Sequence, residues 1–350
     1  MGERQEIFEG TEPVRERHRI DAARLEDWMR AHVDGFRGSL DVEQFKGGQS
    51  NPTYRVSAGG TRYVVRRKPP GQLLPSAHAV DREYRVLTAL QGTGVPVPRT
   101  YALCTDESVL GTWFYVMECV EGRVFWEPHA PDLSNRERAA IYDSLNEVLA
   151  KLHSLDYRRL GLEGFGRPGN YFARQISRWS KQYYASTDAP LAAMDALNEW
   201  LPRTIPPGDE TSIIHGDFKL DNTIVHPTEP RIVAVLDWEI STLGHPLGDF
   251  TYLCMPWFEM GAFRALDVEA LGLPGLDAYA AAYCRRAGRP RIESFAWYEA
   301  FHGFRNACIL QGILGRVRDG TASSEHATLL AAGVGPLADA AWRIAKSLGA

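Results

Sequence analysis

His215-Gly216-Asp217-Phe218-Lys219-Leu220-Asp221-Asn222, with Asp237 fifteen residues beyond Asn222 in Leu236-Asp237-Trp238-Glu239, gathers side chains of the kind that hold a magnesium ion. Mg²⁺ takes few protein oxygens and leaves its other positions to water and phosphates. Ser212 to Ile214 reads as a short buried strand entering a loop, Thr223 to Val225 as a second strand and Ile232 to Leu236 as a third. Pro227-Thr228-Glu229-Pro230 turns between the last two. If residues 227 and 232 close that turn, antiparallel pairing sets Asn222 opposite Asp237, so a carboxamide and a carboxylate emerge side by side at one sheet end. Asp217, on the loop five residues before Asn222, is placed to accept or orient a hydroxyl proton.

Protein kinases space a catalytic-loop Asp and a metal-binding Asn in the same way, with a second metal-binding Asp one hairpin further on. By average residue usage, H-G-D-x-x-x-x-N would arise by chance in roughly one chain in a thousand of this size. A polar turn whose carboxylates only cap strands leaves the second motif unexplained. The two motifs resemble those of the aminoglycoside phosphotransferase and choline kinase-like superfamily, whose catalytic loop reads H-G-D-x-x-x-x-N and whose metal motif reads I/L-D-W/F-E. More closely, Phe45-Lys46-Gly47-Gly48-Gln49-Ser50-Asn51-Pro52-Thr53-Tyr54, Arg66-Arg67-Lys68-Pro69-Pro70-Gly71 and Leu74-Pro75-Ser76-Ala77-His78 resemble the kinase-like domain fused to certain acyl-CoA dehydrogenases. The resemblance runs from about Glu43 to the C-terminal helices. It implies an α+β, two-lobed protein-kinase-like fold with a small antiparallel-sheet N-lobe and a mainly helical C-lobe, divided into residues 1–118 with a leading helix and residues 119–350. It implies ATP as donor, a functional link to an acyl-CoA dehydrogenase, and Asp249 as a buried brace for the catalytic loop.

The elements that must position these groups are legible upstream. Tyr54 to Ser57 and Tyr63 to Arg66 are β-rich runs joined by Ala58-Gly59-Gly60-Thr61, a hairpin signal. The segment before them, carrying Gly47, Gly48, Ser50 and Asn51, is then the tip where a strand turns back over the nucleotide, with glycines permitting close approach to phosphates. Arg66 aligns by resemblance with the lysine that grips the α- and β-phosphates in kinases, and Lys68 is the other candidate. Ser76 to Leu90 has helical periodicity, and Glu83 falls inside the apolar stripe of Val80, Leu87 and Leu90. A carboxylate there needs a cation, which Arg66 or Lys68 supplies. Thr112 to Val120 reads as a buried strand leading to a hinge, with backbone groups from Glu118 to Val120 facing the adenine edge and Met117 lining its pocket. Ser134-Asn135-Arg136-Glu137 is a capping box opening a core helix with stripe Ile141, Leu145, Val148 and Leu152.

At 350 residues, 44% hydrophobic and 24% charged, the chain can bury one large or two moderate cores. A net charge of −5 argues against nucleic acid or an anionic membrane as partner, and no run reaches the roughly 20 apolar residues that span a bilayer. Five cysteines without metal spacing suit free thiols in a reducing cytoplasm. No repeat or low-complexity linker marks a fused second domain, and no apolar signal core opens the chain.

From Thr251 to Ala350 there are nine acidic and ten basic residues, among them Arg285, Arg286, Arg289 and Arg291, a poor match to a polycationic acceptor such as an aminoglycoside. Tyr171, Phe172, Trp179, Tyr183, Tyr184, Phe301 and Phe304 line an acceptor channel or, at helical spacing, form core. The expectation is an ATP- and Mg²⁺-dependent phosphotransferase acting on a hydroxyl of a small molecule, with a hydroxyacyl-CoA or hydroxy acid as acceptor. Asp217 is the base, Lys219 neutralises the migrating phosphoryl group, and Asn222 and Asp237 hold the metal. An aminoglycoside or amino-alcohol kinase and an inactive kinase-like binding module are the competing readings. A metal-dependent hydrolase needs more His and Asp ligands than lie near this loop.

Overall fold

The structure, a computed structural model, describes residues 9–47, 51–69, 79–319 and 327–350. The chain divides into two compact units: Met1–Phe165 with His215–Ser241 and Leu271–Leu273, and Gly166–Ile214 with Thr242–Ala270 and Pro274–Ala350. The expected boundary at 118/119 falls within the first unit.

In the first unit β1 (Thr11–Glu12), β2 (Asp41–Phe45), β3 (Thr53–Ala58), β4 (Thr61–Arg67), β5 (Thr100–Cys104) and β6 (Phe114–Glu118) form one antiparallel sheet in the order β1-β2-β3-β4-β6-β5. Gly59 and Gly60, at φ +55° and +84°, make the β3–β4 turn, where two successive positive φ angles match the strand twist. Helix α1 (Ala22–His32) starts at Asp21, whose carboxylate accepts from the Arg24 N–H at 3.1 Å. It buries Leu25 and Met29 against Tyr54, Val56, Val65, Phe114 and Val116. Helix α2 (Val80–Leu90) buries Val80, Val86, Leu87, Leu90 and Glu83, as its stripe predicts. After the short α3 (Glu107–Leu110), α4 (Asn135–His153) opens on the expected capping box and buries Ile141, Leu145, Val148 and Leu152.

The hairpin Thr223–Val225/Ile232–Val235 also belongs to the first unit, and its register corrects the expectation. Thr223 pairs with Val235 and Ile224 with Ala234, but a bulge before Val225 brings that residue opposite Ile232. Asn222 therefore lies opposite Leu236, whose N–H donates to its carbonyl at 2.8 Å, and Asp237 falls one residue beyond. The bulge absorbs an extra residue on one strand, which turn length alone could not foretell.

The second unit pairs Ser212–Ile214 with Thr242–Gly244 and is otherwise helical: α5 (Tyr171–Ala185), α6 (Ala192–Trp200), α7 (Pro246–Leu253), α8 (Leu276–Arg286), α9 (Ala296–Arg318) and α10 (Ala327–Ser347). Tyr171, Phe172, Tyr183, Phe301 and Phe304 are buried in this unit, so they are core. Phe172 sits within 5.1–5.6 Å of the rings of Trp297, Tyr298 and Phe301. Trp179 is half-buried and Tyr184 is exposed. The five cysteines are free thiols. Among the described residues no helix is long and apolar enough to cross a membrane.

Candidate active site

Two arrangements of side chains meet in the first unit. One is the loop after His215. Gly216 adopts φ +88°, and a Cβ there would lie 3.1 Å from Ile240, so the turn calls for glycine. His215 is fully buried. Its Nδ1 accepts the Asp217 N–H at 3.2 Å while its Nε2 donates to the Leu236 carbonyl at 2.8 Å. Those two partners fix a neutral imidazole protonated on Nε2 and tie the loop to the end of the hairpin. Trp238 packs edge-on against that ring at 4.7 Å.

Asp217 is partly exposed and tightly oriented. Asn222 Nδ2 donates to its Oδ2 at 2.8 Å and to its carbonyl at 2.9 Å. With the amide nitrogen so engaged, Asn222 keeps its oxygen for another ligand. Lys219 Nζ lies 3.4 Å from both Asp217 and Asp221. Burial works against the charge on Lys219, but the two carboxylates outweigh it and hold its pKa above the ordinary value. Burial raises Asp221.

The other surrounds Arg66 on β4. Its Nε donates to Glu83 at 2.8 Å and its Nη2 to Asp237 at 2.6 Å, with Glu239 at 3.4 Å. Arg66 and Glu83 are buried; Asp237 and Glu239 are partly exposed. Lys68 is committed elsewhere, with its Nζ 4.2 Å above the Trp113 ring and 3.7 Å from Asp81. The partner of Glu83 is thus Arg66. Burial opposes the arginine's charge, but Glu83 and then Asp237 outweigh it and hold the guanidinium fully protonated. Burial pushes Glu83 up to about 7 against the pull of Arg66, with Asp237 and Glu239 adding to the rise. Three carboxylates share one guanidinium, so with all ionised the cluster carries two surplus negative charges, the condition a divalent cation relieves.

Asp237 itself stands at φ +66°, ψ +57°, a left-handed conformation that Asp tolerates better than most residues and that is often found at functional sites. Asn51 is fully buried and donates to Glu239 at 3.3 Å, which joins the start of β3 to the L-D-W-E segment. Gly47 lies two residues beyond β2, and Gly48 and Ser50 fall outside the described residues. Met117 is buried on β6. The Glu118 N–H donates to the Arg99 carbonyl at 2.8 Å, so that donor is already engaged. Sequence reasoning missed two neighbours. Glu239 was legible only as the last letter of its motif. Tyr115, which pairs with Arg66 across β4 and β6, was hidden in an apolar run. Its buried hydroxyl is held well above its ordinary pKa by burial and then by Glu83.

Residues 41–295 match the family model described as "Phosphotransferase enzyme family". The rat "Acyl-CoA dehydrogenase family member 11" is 43% identical over 97% of this chain, and the chain spans 45% of that relative's length. A crystal structure from Ralstonia eutropha JMP134, provisionally named an aminoglycoside phosphotransferase, is 52% identical, covers 94% of this chain and 99% of its own, and superposes with a TM-score of 0.85. The spectinomycin phosphotransferase solved with ADP and spectinomycin shares the fold at a TM-score of 0.61 and 12% identity, over 93% of this chain and 98% of its own. With its kinase-like fold, an antiparallel sheet followed by a helical C-terminal part, the chain belongs to the phosphotransferase enzyme family.

Proposed function

We propose that this chain is an ATP- and Mg²⁺-dependent phosphotransferase that moves the γ-phosphoryl group onto a hydroxyl of a small molecule. The observation that carries the reading is the Arg66 cluster: a buried guanidinium flanked by three carboxylates, adjoining a loop where Asn222 orients Asp217. Asn222 and Asp237 would hold Mg²⁺, which supplies neutralisation of phosphate charge. Arg66 grips the phosphate chain from its seat on Glu83. Residues 1–118 form the nucleotide lobe, with Met117, Glu118 and Val120 toward the adenine, and residues 119–350 the catalytic and acceptor lobe. Asp217 takes the acceptor's hydroxyl proton as the oxygen–phosphorus bond forms. The β–γ bridging bond breaks, ADP leaves, and Lys219 offsets charge on the group in transit.

The acceptor we assign is a hydroxyacyl-CoA or hydroxy acid. Its support is the name of the relatives that carry this domain, together with the absence of an acidic excess in residues 251–350 for a polycation. The same relatives suggest a dehydrogenase that supplies the substrate or consumes the product. Five free thiols fit a reducing compartment such as the cytoplasm. The test is phosphorylation of 4-hydroxyacyl-CoA, the free hydroxy acid, choline and kanamycin at equal concentration, each against ATP hydrolysis without acceptor. Strong turnover with an acyl compound supports the reading; turnover with kanamycin alone transfers it to the antibiotic kinases. Asp217→Asn should keep Mg·ATP binding and lose about a hundredfold or more in turnover with the true acceptor. Unchanged turnover removes Asp217 as the base.

A further inference from the structure

We propose that the solvent face of α5, in the second unit, is a binding site for a soluble, multiply phosphorylated small molecule. Arg174, Arg178 and Lys181 stand at i, i+4 and i+7, which puts them on one helix face about 10 Å long at 1.5 Å per residue. Phe172, Ile176 and Tyr183 are buried on the opposite face, so the three cations point away from the core. The short side chains of Ala173 and Ser177 lie beside them, and these five residues line an open depression of about 620 Å³. Helix α5 holds no acidic residue, and Arg167 just before it adds a fourth positive charge, in a chain whose net charge is −5.

None of these four cations forms an ion pair among the described residues. Two carboxylates tied to the helix are Asp209, which accepts from the Asn170 N–H at 3.0 Å at its start, and Asp195, which accepts from the Tyr184 hydroxyl at 2.7 Å near its end. Like charges at helical i, i+4 spacing repel. Arg174 is nonetheless fixed by a 2.6 Å hydrogen bond from Nη2 to the Arg167 carbonyl, which leaves its other N–H groups for a ligand. An anion with several phosphates would relieve the repulsion, take bidentate bonds from the arginines and find a hydroxyl at Ser177. The patch spans only about 10 Å, the reach of a small molecule rather than of an extended bilayer surface. The assignment is independent of which acceptor the active site takes.

Calorimetric titration of the full chain with coenzyme A, inorganic pyrophosphate, phosphatidylserine vesicles and poly-glutamate tests it. Coenzyme A should bind and weaken with added salt. The double variant Arg178→Gln/Lys181→Gln should weaken it at least fivefold with an unchanged melting temperature, and pyrophosphate should compete. Binding of coenzyme A that the double variant leaves unchanged, binding only to vesicles or poly-glutamate, or no binding in any arm overturns the proposal.

Discussion

The single residue that organises the site is Arg66, and its surroundings make the consequences of substitution unequal. Removing Glu83 still leaves the guanidinium with Asp237 and Glu239, so Glu83→Ala should cost about 1–3 kcal/mol, in the range of a lost charged hydrogen bond. Arg66→Ala strands a buried carboxylate with no cation and should cost about 3–5 kcal/mol. Chemical denaturation of both variants and the double variant checks the order, and additive losses would deny the coupling. Glu83 also sets a pH dependence. Its folded pKa, near 7, lies above the carboxylate value it has when unfolded, so the native state binds the extra proton between those limits. Its contribution is therefore fully present at pH below its unfolded value and is lost as pH rises toward 7. Glu83→Gln should flatten that slope in stability measured across pH 4.5 to 7.5. Arg66 also occupies the carboxylate assigned to the metal. Removing its charge in Arg66→Gln should tighten Mg²⁺ binding measured without nucleotide, and weaker or unchanged binding would contradict that masking.

At the scale of elements, backbone fit decides. Arg123 and Val225 exchange N–H to carbonyl bonds at 2.8 Å in each direction, bringing the segment after β6 against the hairpin. A Cβ on Gly122 would stand 2.3 Å from the Val225 carbonyl and from Ile224 Cγ2. Gly122→Ala should open this junction, lowering stability by about 1–3 kcal/mol and turnover with it. Calorimetric unfolding checks the first. Elements like these differ in how far they can be foreseen. The β3–β4 hairpin was legible because Gly59-Gly60 names its turn, and α4 because Ser134 and Glu137 name its start. The register of the 223–235 hairpin was not, because its bulge answers to packing rather than to any residue in the turn. For the site, the spacing of Asp217, Asn222 and Asp237 was readable, and so was the need of Glu83 for a cation. That Arg66 also reaches Asp237 and Glu239 was not readable, because partners so far apart in sequence meet only in three dimensions.

For the molecule as a whole, the two units are woven from alternating stretches of chain, and the first closes only with Leu271–Leu273. Neither unit is a contiguous fragment, so a truncated chain ending at residue 165 should not bind nucleotide; fluorescence titration of that fragment with ADP checks this. The same weaving has a consequence for biosynthesis. Glu83 follows Arg66 by 17 residues, but Asp237 and Glu239 lie 171 and 173 residues away. On a ribosome adding roughly 5–20 residues per second, Arg66 and Glu83 wait many seconds for those carboxylates to be made. In that interval the nascent chain holds a one-to-one pair, and the surplus of negative charge that invites a metal does not exist until the L-D-W-E segment has emerged.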